Sequence, residues 1–193
     1  IGTSRGGIVA MIMAAKAKDR LAGVLLNDIG PRVDVAGLLR IRNYIGSDPQ
    51  FENWAAAVAA LKATNPGFST LTEHEWMVFA KRVFRDVNGI PRADYDARLA
   101  VNFPAPADIT SGKVPEFWGL IDLMKDIPLT VLRGEHSDLL SAATVTEMQL
   151  HAPELEAVTV RDRGHVPFLD EPESIAAIDR WLAKIDAHET AWI

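Results

Sequence analysis

The chain has 193 residues, of which 48% are hydrophobic and 24% are charged, and its formal net charge at pH 7 is −6. These values are ordinary for one folded domain with at most a small subdomain. The negative net charge argues against binding to nucleic acid, which requires clustered Lys and Arg. Because the chain contains no cysteine, disulfides, thiolate metal sites and cysteine nucleophiles are excluded, and a reducing, cytoplasmic location is expected.

The first residues form a glycine-rich turn that begins at Ile1 rather than at a methionine. We therefore expect the sequence to start within a longer protein, with further strands, and any signal peptide, upstream of Ile1. No apolar run reaches the roughly 18 residues that a membrane span requires, since Lys16 interrupts the first apolar stretch. An association with membranes is not expected.

The predicted elements begin with a helix that follows the glycine-rich turn and extends to about Ala17, in a stretch rich in alanine and methionine. The apolar run at residues 21–26 is typical of a parallel strand that is buried on both faces. After Pro115 the pattern alternates between helix and strand. It predicts a short helix at 117–124, a strand at 128–132, a helix at 142–151, a strand at 155–160 and a last helix that begins near Asp170.

Residues 31–115 differ from their flanks because helical periodicity replaces the strand-like runs. Apolar side chains recur at spacings of three and four, as at Phe51, Trp54 and Val58, and breakers such as Asn65-Pro66-Gly67 separate the helices. We interpret this segment as a helical cap or lid inserted into a core formed by residues 1–30 and 116–193. The predicted fold class is α/β, with a mostly parallel sheet flanked by helices.

The turn at the start of the chain, Gly2-Thr3-Ser4-Arg5-Gly6, matches the pattern G-x-S-x-G. This pattern places a serine on a sharp turn between a strand and a helix, and the crowding predicts that Gly2 and Gly6 must lack side chains. Ser4 is the candidate nucleophile. The backbone amide of Arg5, at the start of the helix, is the candidate donor to an oxyanion.

Two further polar residues follow predicted strands, where open α/β sheets place their sites. Asp138 lies in the loop after residues 128–132, and His165 follows the last strand. The chain order Ser, Asp, His at three separate turns favours Asp138 as the acid and His165 as the base. Asp28, which follows the strand at 21–26, is an alternative acid.

Together these segments resemble the α/β-hydrolase family, and the resemblance extends over essentially the whole chain. The similar segments are the elbow around Ser4, the strand end that leads into Ser137-Asp138-Leu139-Leu140, and the Arg163-Gly164-His165 loop. The resemblance implies that residues 31–115 are the lid that shapes the substrate pocket. It implies a Ser-His-Asp mechanism with an acyl-enzyme, acting on an ester, a lactone or a related carbonyl compound.

The upstream strands and the second oxyanion donor of that family are missing from this sequence. We therefore expect these 193 residues alone to be a poor catalyst and poorly soluble. The Arg5 side chain could favour acidic substrates or simply face solvent.

No metal site and no cofactor are expected, because the histidines show no recognisable ligand spacing and no nucleotide-binding glycine motif occurs. The expected partner is a small-molecule substrate, and the sequence does not indicate an oligomeric state. Two other classes of protein remain open. One is a small-molecule receptor that keeps the fold without turnover, and the other is an interaction module built on the helical segment.

Overall fold

The computed structural model describes residues 1–190 as strands and helices that alternate in the core. In chain order, the strands and helices are β1 (Gly2–Thr3), α1 (Arg5–Ala17), β2 (Val24–Asn27), α2 (Val35–Tyr44), α3 (Trp54–Thr64), α4 (Glu73–Val83), β3 (Phe84–Val87), β4 (Ile90–Ala93), α5 (Pro106–Thr110), α6 (Trp118–Asp122), β5 (Leu129–Gly134), α7 (Ala142–His151), β6 (Glu156–Val160) and α8 (Pro172–Thr190). Short 3₁₀ helices lie at Lys18–Arg20, Pro66–Phe68 and Ala97–Asn102.

Four strands form one parallel sheet in the order β1-β2-β5-β6. Successive residues of a strand face opposite sides of a sheet, and both sides of this one are apolar. Val24 and Leu26 of β2 pack into the cluster that holds α1 and α7, whereas Leu25 packs with α8. All four residues of β2 are buried. The predicted class, a mostly parallel sheet flanked by helices, is confirmed.

The start of the chain differs in one respect from the prediction, which had no strand before the elbow. Gly2 and Thr3 form a two-residue strand that pairs with Leu26 and Asn27 of β2. The glycine-rich turn is therefore anchored to the sheet from its first residues. This pairing sets the position of Ser4 relative to the end of β2.

The segment 31–115 is mainly helical, but it also contains an antiparallel hairpin of β3 and β4, which the sequence analysis did not predict. Its turn is Asn88-Gly89, where both residues have positive φ, 55° and 82°. An Asn-Gly pair between two short runs is the usual sequence signal for a tight hairpin turn. The sequence analysis treated the breakers in this segment, Asn88-Gly89 included, only as separators between helices.

Two sets of helices within residues 31–115 pack differently. Leu38 and Ile41 of α2 and Ile109 of α5 belong to the main core cluster, beside the sheet. By contrast, α3 and α4 pack around a separate aromatic cluster that includes Phe68 and Trp76. The second set therefore forms a layer of its own, while the first continues the core. The cap boundaries at 31 and 115 stay a prediction.

Among the described residues, no helix combines the length and the apolar character that crossing a membrane would require.

The burial of Ile109 yields a test of the packing of α5. Its side chain is 0% exposed in the main core cluster, so Ile109→Ala should lower the free energy of unfolding by about 2–5 kcal/mol. Val101→Ala is the matched control, because Val101 is 78% exposed. Urea denaturation followed by tryptophan fluorescence measures both. Equal effects of the two substitutions would mean that α5 does not pack on the core.

Candidate active site

Ser4 lies on a strained turn between β1 and α1. Its φ is 50° and its ψ is −119°, and a positive φ is uncommon for a residue other than glycine. The turn is held by two backbone hydrogen bonds: the Ser4 N–H donates to the Asn27 carbonyl at 3.1 Å, and the Gly7 N–H donates to the Ser4 carbonyl at 2.9 Å. Strain of this kind persists where the surrounding structure fixes the backbone.

The glycines around Ser4 are not equally necessary. A Cβ on Gly2 would lie 2.6 Å from the Gly7 Cα, and a Cβ on Gly7 would collide with the Ile29 side chain. A Cβ on Gly6 would meet no other atom of the described chain within 4 Å. The steric prediction is therefore right for Gly2 and wrong for Gly6. Gly7 is the glycine that allows α1 to approach the sheet.

His165 connects Ser4 to a buried carboxylate. Its Nε2 lies 2.9 Å from the Ser4 Oγ, and its Nδ1 lies 2.8 Å from the Asp28 Oδ2. An ionised carboxylate only accepts hydrogen bonds, so Nδ1 carries the hydrogen and Nε2 of the neutral ring can accept the Ser4 proton. The His165 side chain is 6% exposed and that of Asp28 is 0% exposed. The ring is thus held in one tautomer and largely shielded from water.

Asp28 is fixed by partners at the end of the neighbouring strand. Its Oδ1 accepts a hydrogen bond from the Gly134 N–H at 2.8 Å, and its Oδ2 accepts one from the Ser137 hydroxyl at 2.7 Å. The φ of Asp28 is 55°, a left-handed conformation that Asp tolerates better than most residues. These contacts compensate the carboxylate for its burial, because each oxygen receives a donor.

Asp138, the acid favoured by the sequence analysis, does not lie on the imidazole. Both of its oxygens accept hydrogen bonds from Arg40 of α2: Nε donates to Oδ2 at 2.6 Å and Nη2 donates to Oδ1 at 2.8 Å. The carboxylate that hydrogen-bonds to Nδ1 of His165 is that of Asp28, the alternative acid. Chain order could not separate the two, because it does not reveal that β2 lies between β1 and β5.

The Asp138 loop is also clamped to α2 through its backbone. The Gly37 N–H donates to the Asp138 carbonyl and the Asp34 N–H donates to the Leu139 carbonyl, both at 2.9 Å. Burial acts to raise the pKa of Asp138, but the hydrogen bonds and positive charge of Arg40 outweigh it and hold that pKa below its ordinary value. Asp138 is therefore an ionised partner of Arg40.

Arg5 is the first residue of α1, where backbone N–H groups have no partner within the helix. Its amide adjoins Ser4, as the sequence predicts. The Arg5 side chain is exposed and lines a surface cavity of about 390 Å³ together with residues of the 3₁₀ helix at Ala97–Asn102. Arg98, which also lines that cavity, is paired with Asp96.

The loop after His165 is organised by the buried carboxylate of Glu171. It accepts hydrogen bonds from the N–H groups of Phe168 and Leu169, from the Ser174 hydroxyl and from Nε of Arg163, at distances of 2.7–3.0 Å. Burial acts to raise the pKa of Glu171, but these hydrogen bonds hold it below its ordinary value. No signal in the sequence had singled out this residue beyond its place at a helix start.

One group of side chains in the described part of the chain could hold a metal ion. Ligand atoms of Glu135, His136 and Asp162 lie within 4.8 Å of one another, and the Glu135 and His136 side chains are exposed. The sequence analysis found no recognisable ligand spacing among the histidines, because these three residues come from two separate loops. The expectation that the protein uses no metal stays a prediction.

Comparison with known proteins gives consistent results. Residues 1–178 match the model of a family described as the alpha/beta hydrolase family. The chain therefore belongs to the α/β-hydrolase family.

One relative is similar to the chain in sequence, and two solved structures are similar to it in sequence and structure. A 3-hydroxybutyrate-oligomer hydrolase from Cupriavidus necator is 32% identical over 181 residues, which are 91% of this chain and 61% of that protein. An alpha/beta hydrolase from Novosphingobium aromaticivorans, solved by crystallography, is 42% identical, with a TM-score of 0.84, over 95% of this chain and 64% of that one. A crystal structure from Rickettsia typhi has 26% identity and a TM-score of 0.76, covering 95% and 61% of the two chains. This chain thus spans less than two thirds of the length of these relatives.

The burial of Glu171 predicts a dependence of stability on pH. Because its pKa is lowered in the folded state, its contribution is complete above the ordinary Glu pKa and is lost as the pH falls through the lower, folded-state pKa. Glu171→Gln should therefore cost about 1.5–3 kcal/mol at pH 7 and progressively less under acid conditions. Urea denaturation from pH 7 to pH 3 measures this change.

Glu154→Gln is the control for that series, because Glu154 is exposed and its substitution should have little effect at any pH. A loss for Glu171→Gln that does not change with pH would contradict the electrostatic explanation.

Proposed function

We propose that the protein to which this chain belongs is a serine hydrolase that cleaves a carboxylic ester, a lactone or a related carbonyl compound through an acyl-enzyme. The observation that carries this proposal is the continuous hydrogen-bonded line from the Ser4 hydroxyl through both ring nitrogens of His165 to Asp28. A hydroxyl is a weak nucleophile until a neighbouring base takes its proton. His165 meets the geometric requirement for that base.

In the proposed mechanism, Ser4 Oγ attacks the carbonyl carbon while Nε2 of His165 accepts its proton. Asp28 stabilises the imidazolium that forms and preserves the ring orientation. The imidazolium then protonates the leaving group, which departs and leaves an acyl group on Ser4. Water, deprotonated by His165, attacks this ester and releases the acid, so that Ser4 regains its proton.

The negative charge that develops on the carbonyl oxygen requires donors fixed in advance. We propose the Arg5 amide as one of them, because it follows the nucleophile directly and opens α1. A second donor would complete the site in the full protein. Removing one such donor typically costs about 100- to 1,000-fold in rate.

The substrate is proposed to be a small molecule. The name of the Cupriavidus necator relative makes 3-hydroxybutyrate oligomers the first compounds to try. A panel of short and long acyl esters and lactones tests how far the range extends. The relatedness supports hydrolysis as the reaction, whereas the choice among ester, lactone and other carbonyl substrates depends on the panel.

A fluorophosphonate probe tests the nucleophile directly. It should label the protein and fail to label Ser4→Ala, since only an activated serine reacts with it. Ser137→Ala should reduce the labelling without abolishing it, because the Ser137 hydroxyl donates to Asp28 and does not contact the reacting atoms. Mass spectrometry of the labelled peptide locates the adduct. Equal labelling of the unchanged full protein and its Ser4→Ala variant would remove the serine hydrolase assignment.

The acid can be identified by two matched substitutions, Asp28→Asn and Asp138→Asn. Loss of the acid in a Ser-His-Asp site lowers kcat by up to about 10,000-fold, and we expect a loss approaching this for Asp28→Asn. Asp138→Asn should cost less than about 10-fold on a neutral ester, because its carboxylate pairs with Arg40. Steady-state kinetics on one neutral p-nitrophenyl ester measure both. The reverse ranking would restore Asp138 as the acid.

A further inference from the structure

A small cavity lies beside the imidazole of His165 and is lined by polar side chains. Its volume is about 70 Å³, and Arg40, Asp138, Asn65, His136 and His165 contribute to its wall. Phe68 and the glycines Gly67 and Gly164 close the remainder. Arg40 and Asp138 pair with each other and His165 with Ser4 and Asp28, so this wall is a charged, hydrogen-bonded surface and not an apolar one.

The guanidinium of Arg40 is the only full positive charge among the side chains that line this cavity, apart from any protonation of its histidines. It is held in place by the two hydrogen bonds to Asp138. Arg40 is 22% exposed and Asp138 is 32% exposed, so the pair is neither fully solvated nor sealed in the core. A paired arginine in this position keeps a fixed orientation that a surface arginine would lack.

The bonds to Asp138 use one edge of the guanidinium, formed by Nε and Nη2. An arginine carries five N–H donors, and its Nη1 group takes no part in those two bonds. Planar guanidinium groups bind carboxylates in a bidentate manner, so the edge that Asp138 leaves is suited to another carboxylate, which would lie beside the Tyr44 hydroxyl that also interacts with Arg40. A ligand bound there would lie closer to the guanidinium than to the Asp138 carboxylate on the adjacent edge, and the attraction would exceed the repulsion.

We propose that Arg40 binds a carboxylate of the substrate in this cavity, an inference that rests on the proposed function. The preferred substrates are then short esters whose acyl part ends in a carboxylate. Asp138 is a positioning residue in this arrangement, since it orients the guanidinium and does not touch the reacting atoms. The cavity volume restricts the acyl part to a few heavy atoms between the ester carbonyl and the carboxylate.

The first test compares matched esters that differ only in charge. The monomethyl esters of succinic, glutaric and adipic acid carry a free carboxylate, and the corresponding dimethyl esters do not. The full protein to which this chain belongs should prefer at least one monomethyl ester over its dimethyl partner in kcat/KM. Arg40→Gln should raise KM for the preferred monomethyl ester by about 10- to 100-fold, with little change in kcat and little effect on the dimethyl ester. Arg40→Lys should raise KM by an intermediate amount, because lysine keeps the positive charge but cannot donate two parallel hydrogen bonds to a carboxylate.

Arg32→Gln is the matched control, because it also removes an arginine from an ion pair, that with Glu147 at 2.8 Å, and Arg32 does not line this cavity. Its kinetic constants should equal those of the unchanged chain. Circular dichroism and thermal melting of each variant identify any loss that is due to unfolding.

A second test does not depend on turnover. Ser4→Ala should bind the preferred monomethyl ester in an NMR titration, and Ser4→Ala combined with Arg40→Gln should bind it at least 10-fold more weakly. The dimethyl ester should bind equally to both. Because neither protein can form an acyl-enzyme through Ser4, this measurement reports the carboxylate subsite alone.

The outcomes separate the two proposals. If the full protein binds the monomethyl ester through Arg40 but neither hydrolyses it nor reacts with the probe, the subsite is supported and the hydrolase proposal is contradicted. Labelling of Ser4 without any preference for the monomethyl esters would support the hydrolase and overturn the subsite. Equal binding with and without Arg40, or equal losses on charged and neutral esters, would also overturn it.

Discussion

The arrangement around His165 depends on its two ring nitrogens having different partners. One nitrogen must donate its hydrogen to an acceptor, and the other must be free to accept a proton from a hydroxyl. Asp28 satisfies the first requirement and Ser4 the second. Most of the surrounding structure contributes to this arrangement. The sheet brings together the ends of β1 and β2, while Glu171 orders the loop that carries the imidazole.

The carboxyl end of the parallel sheet explains why these side chains meet although they are far apart in sequence. Ser4 follows β1, Asp28 follows the adjacent β2, and the partners of Asp28 at Gly134 and Ser137 lie at and after the end of β5. Each of these strand ends supplies backbone groups as well as side chains. The site is consequently built on the ends of buried strands.

The sequence predicted the fold class and the elements around the sheet, because buried strands and amphipathic helices have distinct periodicities. It also singled out Ser4 and His165, which occur in recognisable loops and whose side chains meet in the structure; their catalytic roles stay a prediction. It favoured Asp138 over Asp28 as the partner of His165, whereas the structure places Asp28 there, because both follow strands and only the strand order and the pairing of Asp138 with Arg40 separate them. The hairpin at Asn88-Gly89 was missed where a turn signal lay between two helix-like stretches.

Phe68 belongs to two parts of the molecule at once. It is 1% exposed in the aromatic cluster of α3 and α4, it stacks on Phe168 with ring centroids 5.3 Å apart, and it closes the cavity beside His165. A smaller side chain at this position would enlarge the chamber and loosen the helical layer together. Enlarging this cavity by substitution at Phe68 would therefore lower thermal tolerance unless a compensating substitution refilled the aromatic cluster.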